Sequence, residues 1–331
     1  MHKPKILQIL SMYHKEGEQI LQQGAEVIRT DNYEISHLCE MVKEVQGIVL
    51  RAPAKITREI IDAAPQLKVI SGAGVGLDNI DVAYASEKKI PVLHAPSVNG
   101  VSTAEHAVAL IMALSKQLIP FHAEMSKGNY NSRNILQSRE LRDKTVGIVG
   151  FGSIAKEVAK CLKLGLKMKV IVWVRKFDKD KHSLAEELGI EITTDLDKVF
   201  SESDFVSLHI PLTQHTRGFI NRYHFSLMKP TAYLVNTARG AVVNQDDLYE
   251  AVRTKQIAGA GLDVFDPEPT TQDDLPLLSL PNVVVTPHIG GTTVECNYIM
   301  ATTVARNVLS VLAGGVPEFI GNPEVLLPTN S

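Results

Sequence analysis

The sequence contains 331 residues, of which 44% are hydrophobic and 21% charged, and its formal net charge is -3. A chain longer than ~250–300 residues favours two domains, and this apolar fraction is sufficient for sizeable cores. The nearly balanced charge argues against a surface for nucleic acid or for an anionic membrane. No apolar run approaches the ~20 residues of a transmembrane helix.

The N-terminal segment and the cysteines indicate a cytoplasmic protein. The apolar segment Ile6–Leu10 is too short and too interrupted for a secretory signal. Cys39, Cys161 and Cys296 are isolated and lack the C-x-x-C spacing. We therefore expect neither a disulfide framework nor a metal site.

The first third of the chain alternates predicted strands with predicted helices. Residues 5–10 form a strand candidate, and a helix over Glu16–Gln23 ends at Gly24. This alternation indicates a parallel α/β sheet that extends to about residue 97. Its further strands are predicted at Gly47–Leu50, Val69–Ser71 and Pro91–His94.

A buried helix is predicted after residue 100. Ser102 and Glu105 have the spacing of a capping box, which places the start of the helix at Ser102. Apolar residues surround most of this helix, as is typical at a domain or subunit boundary. The polar stretch Lys127–Arg142 is predicted to be a surface loop or arm.

A glycine turn between a strand and a helix begins the second predicted sheet. Gly150 and Gly152 follow a β-branched strand, and Ala155 opens an apolar helix face. This G-x-G-x-x-A pattern allows a pyrophosphate to approach the backbone at a helix N-terminus, and it predicts a dinucleotide site. Six strands are predicted, at Val146–Gly150, Val170–Val174, Phe205–Ile210, Ala232–Asn236, Gly259–Val264 and Val283–Thr286.

The remaining predicted elements are two helices and a tail. Asp246 and Asp247 stand in the first turn of a helix over Gln245–Arg253. A last helix, about Thr293–Ala313, ends before two glycines, and the tail Val316–Leu327 is expected to fold back onto the first domain.

Five ordered motifs identify a family resemblance that covers nearly the whole chain. They are Gly72–Asp81, Gly150–Ala155, Leu234–Gly240, Gly261–Pro269 and Thr286–Gly291. With these motifs the chain resembles the D-isomer-specific 2-hydroxyacid dehydrogenases. The resemblance implies two doubly wound α/β domains with an active-site cleft between them: a Rossmann dinucleotide-binding domain (99–289) inserted into a discontinuous flavodoxin-like substrate domain (1–98 and 290–331). It also implies a homodimer that uses the helix after residue 100.

The resemblance assigns a catalytic role to three residues. His288 matches the proton donor for reduction of a 2-keto acid, Glu268 its carboxylate partner, and Arg239 the cation that binds the carboxylate and C2 oxygen. A histidine suits proton transfer because its unperturbed pKa, ~6.5, lies near working pH. The guanidinium offers a two-point contact that lysine cannot copy.

Other positions match residues that contact the nicotinamide cofactor. Asp263 matches a carboxamide contact, although a buried capping role is the alternative for it. The full set is Gly150, Gly152, Ser153, Ile154, Arg175, Lys176, His209, Ile210, Pro211, Thr237, Arg239, Asp263, His288, Gly290 and Gly291.

The second strand of the dinucleotide domain departs from the pattern of NAD enzymes. Val174 stands where an acidic residue usually binds the ribose, and Arg175 and Lys176 follow it. A cation attracts a 2′-phosphate, so we expect NADP to be preferred over NAD. The alternative is that both cations are solvated and NAD still binds.

The substrate side of the site rests on fewer residues. The backbone N–H groups of Val75 and Gly76 match a carboxylate-binding loop. Arg51 and Asn99 match positions that contact the substrate in phosphoglycerate dehydrogenases. Together with Arg239 and His288, these residues form the predicted substrate-binding set.

Three functions remain open from the sequence alone. The leading one is reduction of a small 2-keto acid such as hydroxypyruvate or glyoxylate. D-3-phosphoglycerate dehydrogenase is the enzymatic alternative. A dinucleotide-gated corepressor-like binding module is the alternative of another class, because such proteins can retain the same three residues.

Overall fold

A computed structural model describes residues 3–271, 273 and 275–326. The chain divides into two compact units: one runs to Asn99 and resumes at Thr292, and the other spans Gly100–Gly291. In the described part of the chain, no helix is long and apolar enough to cross a membrane.

The first unit begins with five strands and four helices in alternation. All its described strands pair in parallel, in the order β2-β1-β3-β4-β5. This is the flavodoxin-like order, with its switch point between β1 and β3. The strands are β1 (Lys5–Ile9), β2 (Glu26–Thr30), β3 (Gly47–Leu50), β4 (Val69–Gly72) and β5 (Val92–Leu93), and the helices are α1 (Lys15–Gly24), α2 (Ile35–Met41), α3 (Arg58–Asp62) and α4 (Val82–Glu87).

The second unit contains a seven-stranded parallel sheet in the order β12-β11-β10-β9-β6-β7-β8. Its first six strands, counted from β6, have the Rossmann order, and the switch point lies between β6 and β9. The strands are β6 (Thr145–Val149), β7 (Lys169–Trp173), β8 (Glu191–Thr193), β9 (Phe205–Leu208), β10 (Tyr233–Asn236), β11 (Gly259–Leu262) and β12 (Val283–Val285). The helices are α5 (Gly100–Lys116), α6 (Leu118–Ser126), α7 (Ser153–Lys160), α8 (Lys179–Leu188), α9 (Leu196–Glu202), α10 (Arg222–Leu227) and α11 (Gln245–Arg253).

The chain then returns to the first unit through α12 (Val294–Leu312), which Thr293 caps through its side chain. Gly314 follows in the left-handed conformation, as the sequence predicts. The tail does fold back as far as it is described: Ile320 bridges Leu93, and Asn322 Oδ1 accepts a hydrogen bond from the Val92 N–H at 2.8 Å. Leu327 lies outside the described residues.

Both sheets are covered on their two faces. Two apolar clusters flank the sheet of the second unit, one centred on Phe200, Phe225 and Leu234 and the other on Ile148, Val158 and Val172. The short runs of β-branched residues form fully buried central strands for this reason.

Three predictions about elements were wrong. The second sheet has seven described strands rather than six because β8 was not predicted, and β2 was not predicted in the first sheet. Both are sheet edges with charged, exposed positions such as Glu26 and Glu191, so neither has an apolar pattern. The capping box at Ser102 is also wrong. Helix α5 begins at Gly100, and the Ser102 hydroxyl donates to the Gly290 carbonyl oxygen at 2.8 Å.

Candidate active site

The three catalytic candidates follow three neighbouring strands. Arg239 lies three residues after β10, Glu268 six residues after β11, and His288 three residues after β12. These strands are adjacent and parallel, so their carboxyl ends lie at one edge of the sheet. The sheet topology therefore brings together side chains from distant parts of the sequence.

Glu268 and His288 form a direct hydrogen-bonded pair. The Nδ1 atom of His288 lies 2.7 Å from Oε2 of Glu268, and Oε1 accepts a hydrogen bond from the Phe265 N–H at 2.7 Å. The hydrogen bond from His288 to the Glu268 carboxylate raises the pKa of His288 above its ordinary value, although burial opposes this rise. The His288 side chain remains 47% exposed, so a substrate can reach the ring.

Arg239 is brought to this pair by a close backbone approach. A Cβ on Gly240 would lie 2.0 Å from the carbonyl carbon of Phe265, so only glycine fits there. The Asn236 amide donates to the Arg239 carbonyl oxygen at 3.0 Å and holds the turn. The positive charge of Arg239 also lowers the pKa of His288 against the effect of Glu268, which reflects the proximity of the two groups.

Asp263 anchors the segment that carries His288. Its carboxylate accepts hydrogen bonds from the Thr286 hydroxyl at 2.6 Å and from the N–H groups of Ile289 and Gly290, each at 2.8 Å. Burial raises the pKa of Asp263, but the neighbouring His106 ring, the Thr286 hydroxyl and the two backbone N–H groups outweigh it and hold the pKa below its ordinary value. This is the buried anchoring role that the sequence left open as an alternative.

The glycine turn has the shape that a dinucleotide requires. Gly150 has a φ of 98°, and a Cβ there would lie 2.5 Å from the His209 carbonyl oxygen. A Cβ on Gly152 would instead meet no protein atom within 4 Å. Gly152 caps α7 without a side chain, so no capping side chain occupies the N–H groups of the first turn, which includes Ser153 and Ile154. Ala155 is fully buried against the sheet.

Two buried polar atoms near this edge are unsatisfied among the described residues. They are Nδ1 of His209, after β9, and Oγ1 of Thr237, after β10. Burial lowers the pKa of His209 to about 4, so its ring is neutral. Ile210 is buried beside it and Pro211 is exposed. Orphaned polar atoms at the cofactor edge fit a bound polar ligand such as a nicotinamide dinucleotide.

Arg175 and Lys176 are exposed at the end of β7, whereas Val174 is 4% exposed and donates its N–H to the Thr193 carbonyl oxygen. Val174 therefore faces the core and leaves the two cations at the sheet edge.

Gly290 is buried and Gly291 is half-buried at the end of the His288 segment.

The predicted substrate residues lie in the first unit. Val75 and Gly76 are half-buried in the turn after β4, and among the described residues neither N–H donates to a protein acceptor. Arg51 follows β3, where its Nε donates to the Ser11 carbonyl oxygen at 2.9 Å and its guanidinium lies over the Tyr13 ring. Asn99 is half-buried before α5.

Tyr13, His106 and Thr286 contact predicted site residues but were not themselves predicted as site residues from the sequence. Tyr13 orients Arg51, and His106 and Thr286 belong to the Asp263 network. The only signal in the sequence was that Thr286 begins the motif containing His288. His106 is 180 residues away from its partner, so no local pattern points to it.

Comparisons with known proteins match most of the chain. A family model described as "D-isomer specific 2-hydroxyacid dehydrogenase, NAD binding domain" matches residues 108–290. A hydroxypyruvate reductase of Thermotoga maritima is 41% identical over 300 residues, which cover 90% of this chain and 95% of the relative.

Two further comparisons extend the match. A D-3-phosphoglycerate dehydrogenase of Methanocaldococcus jannaschii is 37% identical over 93% of this chain, but the match covers 58% of that relative. The crystal structure of an NADPH-dependent glyoxylate/hydroxypyruvate reductase of Sinorhizobium meliloti, in complex with NADP and malonate, superposes with a TM-score of 0.85 at 26% identity and covers 96% of each chain.

Proposed function

The chain belongs to the D-isomer-specific 2-hydroxyacid dehydrogenases, which are NAD(P)-dependent oxidoreductases, and on this premise we propose that it reduces a small 2-keto acid of the hydroxypyruvate or glyoxylate type. The observation that carries the proposal is the Glu268–His288 hydrogen bond beside Arg239. The names of the Thermotoga and Sinorhizobium relatives support this substrate class.

His288 acts as the acid in the proposed reduction. Glu268 accepts a hydrogen bond from the Nδ1–H group, which orients the ring and leaves Nε2 to donate a proton to the C2 oxygen of the substrate. When bound, the nicotinamide supplies the hydride that adds to C2. The C2 carbonyl then becomes a hydroxyl group, and the reverse reaction returns the proton to His288.

Arg239 and the turn after β4 bind the substrate in this proposal. The Arg239 guanidinium contacts the carboxylate and the developing charge on the C2 oxygen. The N–H groups of Val75 and Gly76, which match the family's carboxylate-binding loop, and the side chains of Arg51 and Asn99 are the further proposed substrate contacts. The bond from Arg51 to Ser11 leaves the outer guanidinium nitrogens for this contact.

NADP is the proposed preferred cofactor. Arg175 and Lys176 lie exposed after β7, where the ribose of a dinucleotide binds in this fold. No carboxylate occupies the Val174 position to repel a 2′-phosphate. The cofactor is proposed to contact the glycine turn, the residues after β9 and Thr237, whose open or unsatisfied groups fit it.

The proposed assembly is a homodimer that uses the α5–α6 region. Several large apolar side chains there are exposed, and such a patch is typical of a protein interface. They are Val101, Leu118, Ile119, Met125 and Ile135, each at least 50% exposed. Sedimentation equilibrium tests this: a concentration-independent monomer contradicts it.

A substrate panel tests the proposed activity. Absorbance at 340 nm is followed with NADPH and with NADH, against hydroxypyruvate, glyoxylate, pyruvate and 3-phosphohydroxypyruvate. We expect the highest kcat/KM with hydroxypyruvate or glyoxylate and NADPH. A preference for 3-phosphohydroxypyruvate assigns the chain to the phosphoglycerate dehydrogenases instead. Absence of turnover with every acid overturns the enzymatic proposal.

A further inference from the structure

We propose that His106, in the second turn of α5, is a positioning residue that holds His288 in its working geometry through Thr286 and Asp263. The inference rests on the proposed function, because it assigns the acid–base role to His288. His106 touches neither member of the catalytic pair in this scheme and acts through two intermediate side chains.

A chain of hydrogen bonds connects His106 to Asp263. Nε2 of His106 lies 2.9 Å from the Thr286 hydroxyl oxygen and 3.4 Å from Oδ1 of Asp263. The Thr286 hydroxyl donates its proton to Asp263 Oδ1 at 2.6 Å. The hydroxyl oxygen must therefore accept the bond from His106, which places a proton on Nε2 of that ring.

Asp263 in turn holds three consecutive backbone groups. Its carbonyl oxygen accepts from the His288 N–H at 2.8 Å, and its carboxylate oxygens accept from the N–H groups of Ile289 and Gly290. His288 has a φ of 54°, a conformation that a residue with a side chain adopts only when its surroundings impose it. The Asp263 bonds impose that conformation, and with it the direction of the His288 ring.

Helix α5 secures this arrangement at two points. One turn before His106, the Ser102 hydroxyl donates to the Gly290 carbonyl oxygen at 2.8 Å. His106 fixes the beginning of the segment at Thr286, and Ser102 fixes its end at Gly290. Without the His106 donor, the Thr286 hydroxyl can rotate away from Asp263. Because Asp263 is only 1% exposed, its carboxylate depends on donors from the protein rather than from water.

His106→Leu removes the donor, and His106→Gln retains an N–H donor without an imidazole. We expect His106→Leu to lower kcat roughly 10- to 100-fold, because a small displacement of a catalytic group has this effect. The KM for NADPH should stay within about twofold of the wild-type value, and His106→Gln should recover most of the loss. If His106 had only a structural role, kcat and the KM for NADPH would change together, and the amide of His106→Gln would not restore kcat.

Two serines of α5 provide a matched pair for the second point of attachment. Ser102 and Ser115 are both buried, and each hydroxyl donates to a backbone carbonyl at 2.8 Å, but Ser115 bonds to Arg139, far from the His288 segment. Ser102→Ala should lower kcat, and Ser115→Ala should leave kcat unchanged with a similar loss of thermal stability.

Hydrogen exchange provides a readout that does not require activity. The amides of residues 288–290 should exchange about tenfold faster in His106→Leu, and should be unchanged in Ser115→Ala. Unchanged exchange and unchanged kcat in His106→Leu overturn the inference while the proposed function stands. If the wild-type protein reduces no 2-keto acid, the proposed function fails, and the exchange data still decide whether His106 holds the segment.

Discussion

The Nδ1 atom of His288 lies 2.7 Å from Oε2 of Glu268, whose second carboxylate oxygen accepts the Phe265 N–H. Each oxygen of Glu268 thus has a donor among the described residues, and the backbone of its own turn orients the carboxylate. The carboxylate in turn orients the imidazole and favours its protonated form. The acid strength of His288 and the direction of its ring therefore both depend on Glu268.

Glu268→Gln should change the pH dependence of reduction. Protonated His288 is the active acid, so kcat/KM falls as pH rises through its pKa. Because Glu268 raises that pKa, its replacement by an uncharged amide should move the fall to lower pH. The measurement is kcat/KM against pH with a saturating cofactor.

Glu250→Gln is the matched control for this profile. Glu250 is also paired with a cation, Arg253, but both are exposed on α11. Its replacement should leave the profile of reduction unchanged. An unshifted profile in Glu268→Gln would remove the carboxylate from its assigned role.

Gly152→Ala should weaken cofactor binding without affecting stability. The added methyl group meets no protein atom within 4 Å, but it enters the space where the backbone approaches the pyrophosphate. We expect the Kd of NADPH, measured by fluorescence titration, to rise about tenfold or more, which corresponds to roughly 1.4 kcal/mol. Gly165→Ala is equally open and lies outside the turn, so it should alter neither Kd nor Tm. Equal affinities for the two variants would contradict this placement of the cofactor.

Arg175→Ala should discriminate between the two nicotinamide cofactors. Loss of a charge-assisted bond to the 2′-phosphate should raise the KM for NADPH about tenfold or more and leave that for NADH nearly unchanged. Arg253→Ala removes an exposed arginine near the opposite, amino-terminal edge of the sheet and should change neither value. A wild-type enzyme that prefers NADH would refute the NADP assignment.

Gly240→Ala should destabilise the protein as well as inactivate it. The methyl group would overlap the backbone of Phe265, at 2.0 Å from its carbonyl carbon, and backbone cannot yield as a side-chain tip can. We expect a loss of about 1–3 kcal/mol or more in the free energy of unfolding. Urea denaturation measures it, and an unchanged midpoint would show that the turn of Arg239 is not tightly packed.

The central strands and the helices around them were predictable because burial leaves a pattern in the sequence. The β-branched runs at β6 and β7, together with the glycine that follows β6, are sufficient to indicate a dinucleotide fold. The edges were not predictable in this way. β2 and β8 expose charged residues on one side, and a strand of three residues such as β8 has no period to detect.

The candidate site was predictable as a set of residues but not as a set of contacts. Arg239, Glu268 and His288 were selected by the family resemblance, and a parallel sheet brings the ends of β10, β11 and β12 to one edge. The bonds of His106 and Ser102 span 180 and 188 residues. Such bonds depend on how α5 packs on the sheet, which short-range patterns do not encode. Ser102 was even assigned to the wrong partner, because local capping chemistry was the only interaction visible in sequence.

The most direct test of the account is the turnover of His288→Ala. With the preferred 2-keto acid and NADPH, we expect kcat to fall by about 10²- to 10⁴-fold, the range of a lost general acid. The Kd of NADPH, titrated in the same preparation, should remain close to the wild-type value. A variant that retains wild-type kcat with intact cofactor binding would contradict the role of the Glu268–His288 pair as the acid–base centre.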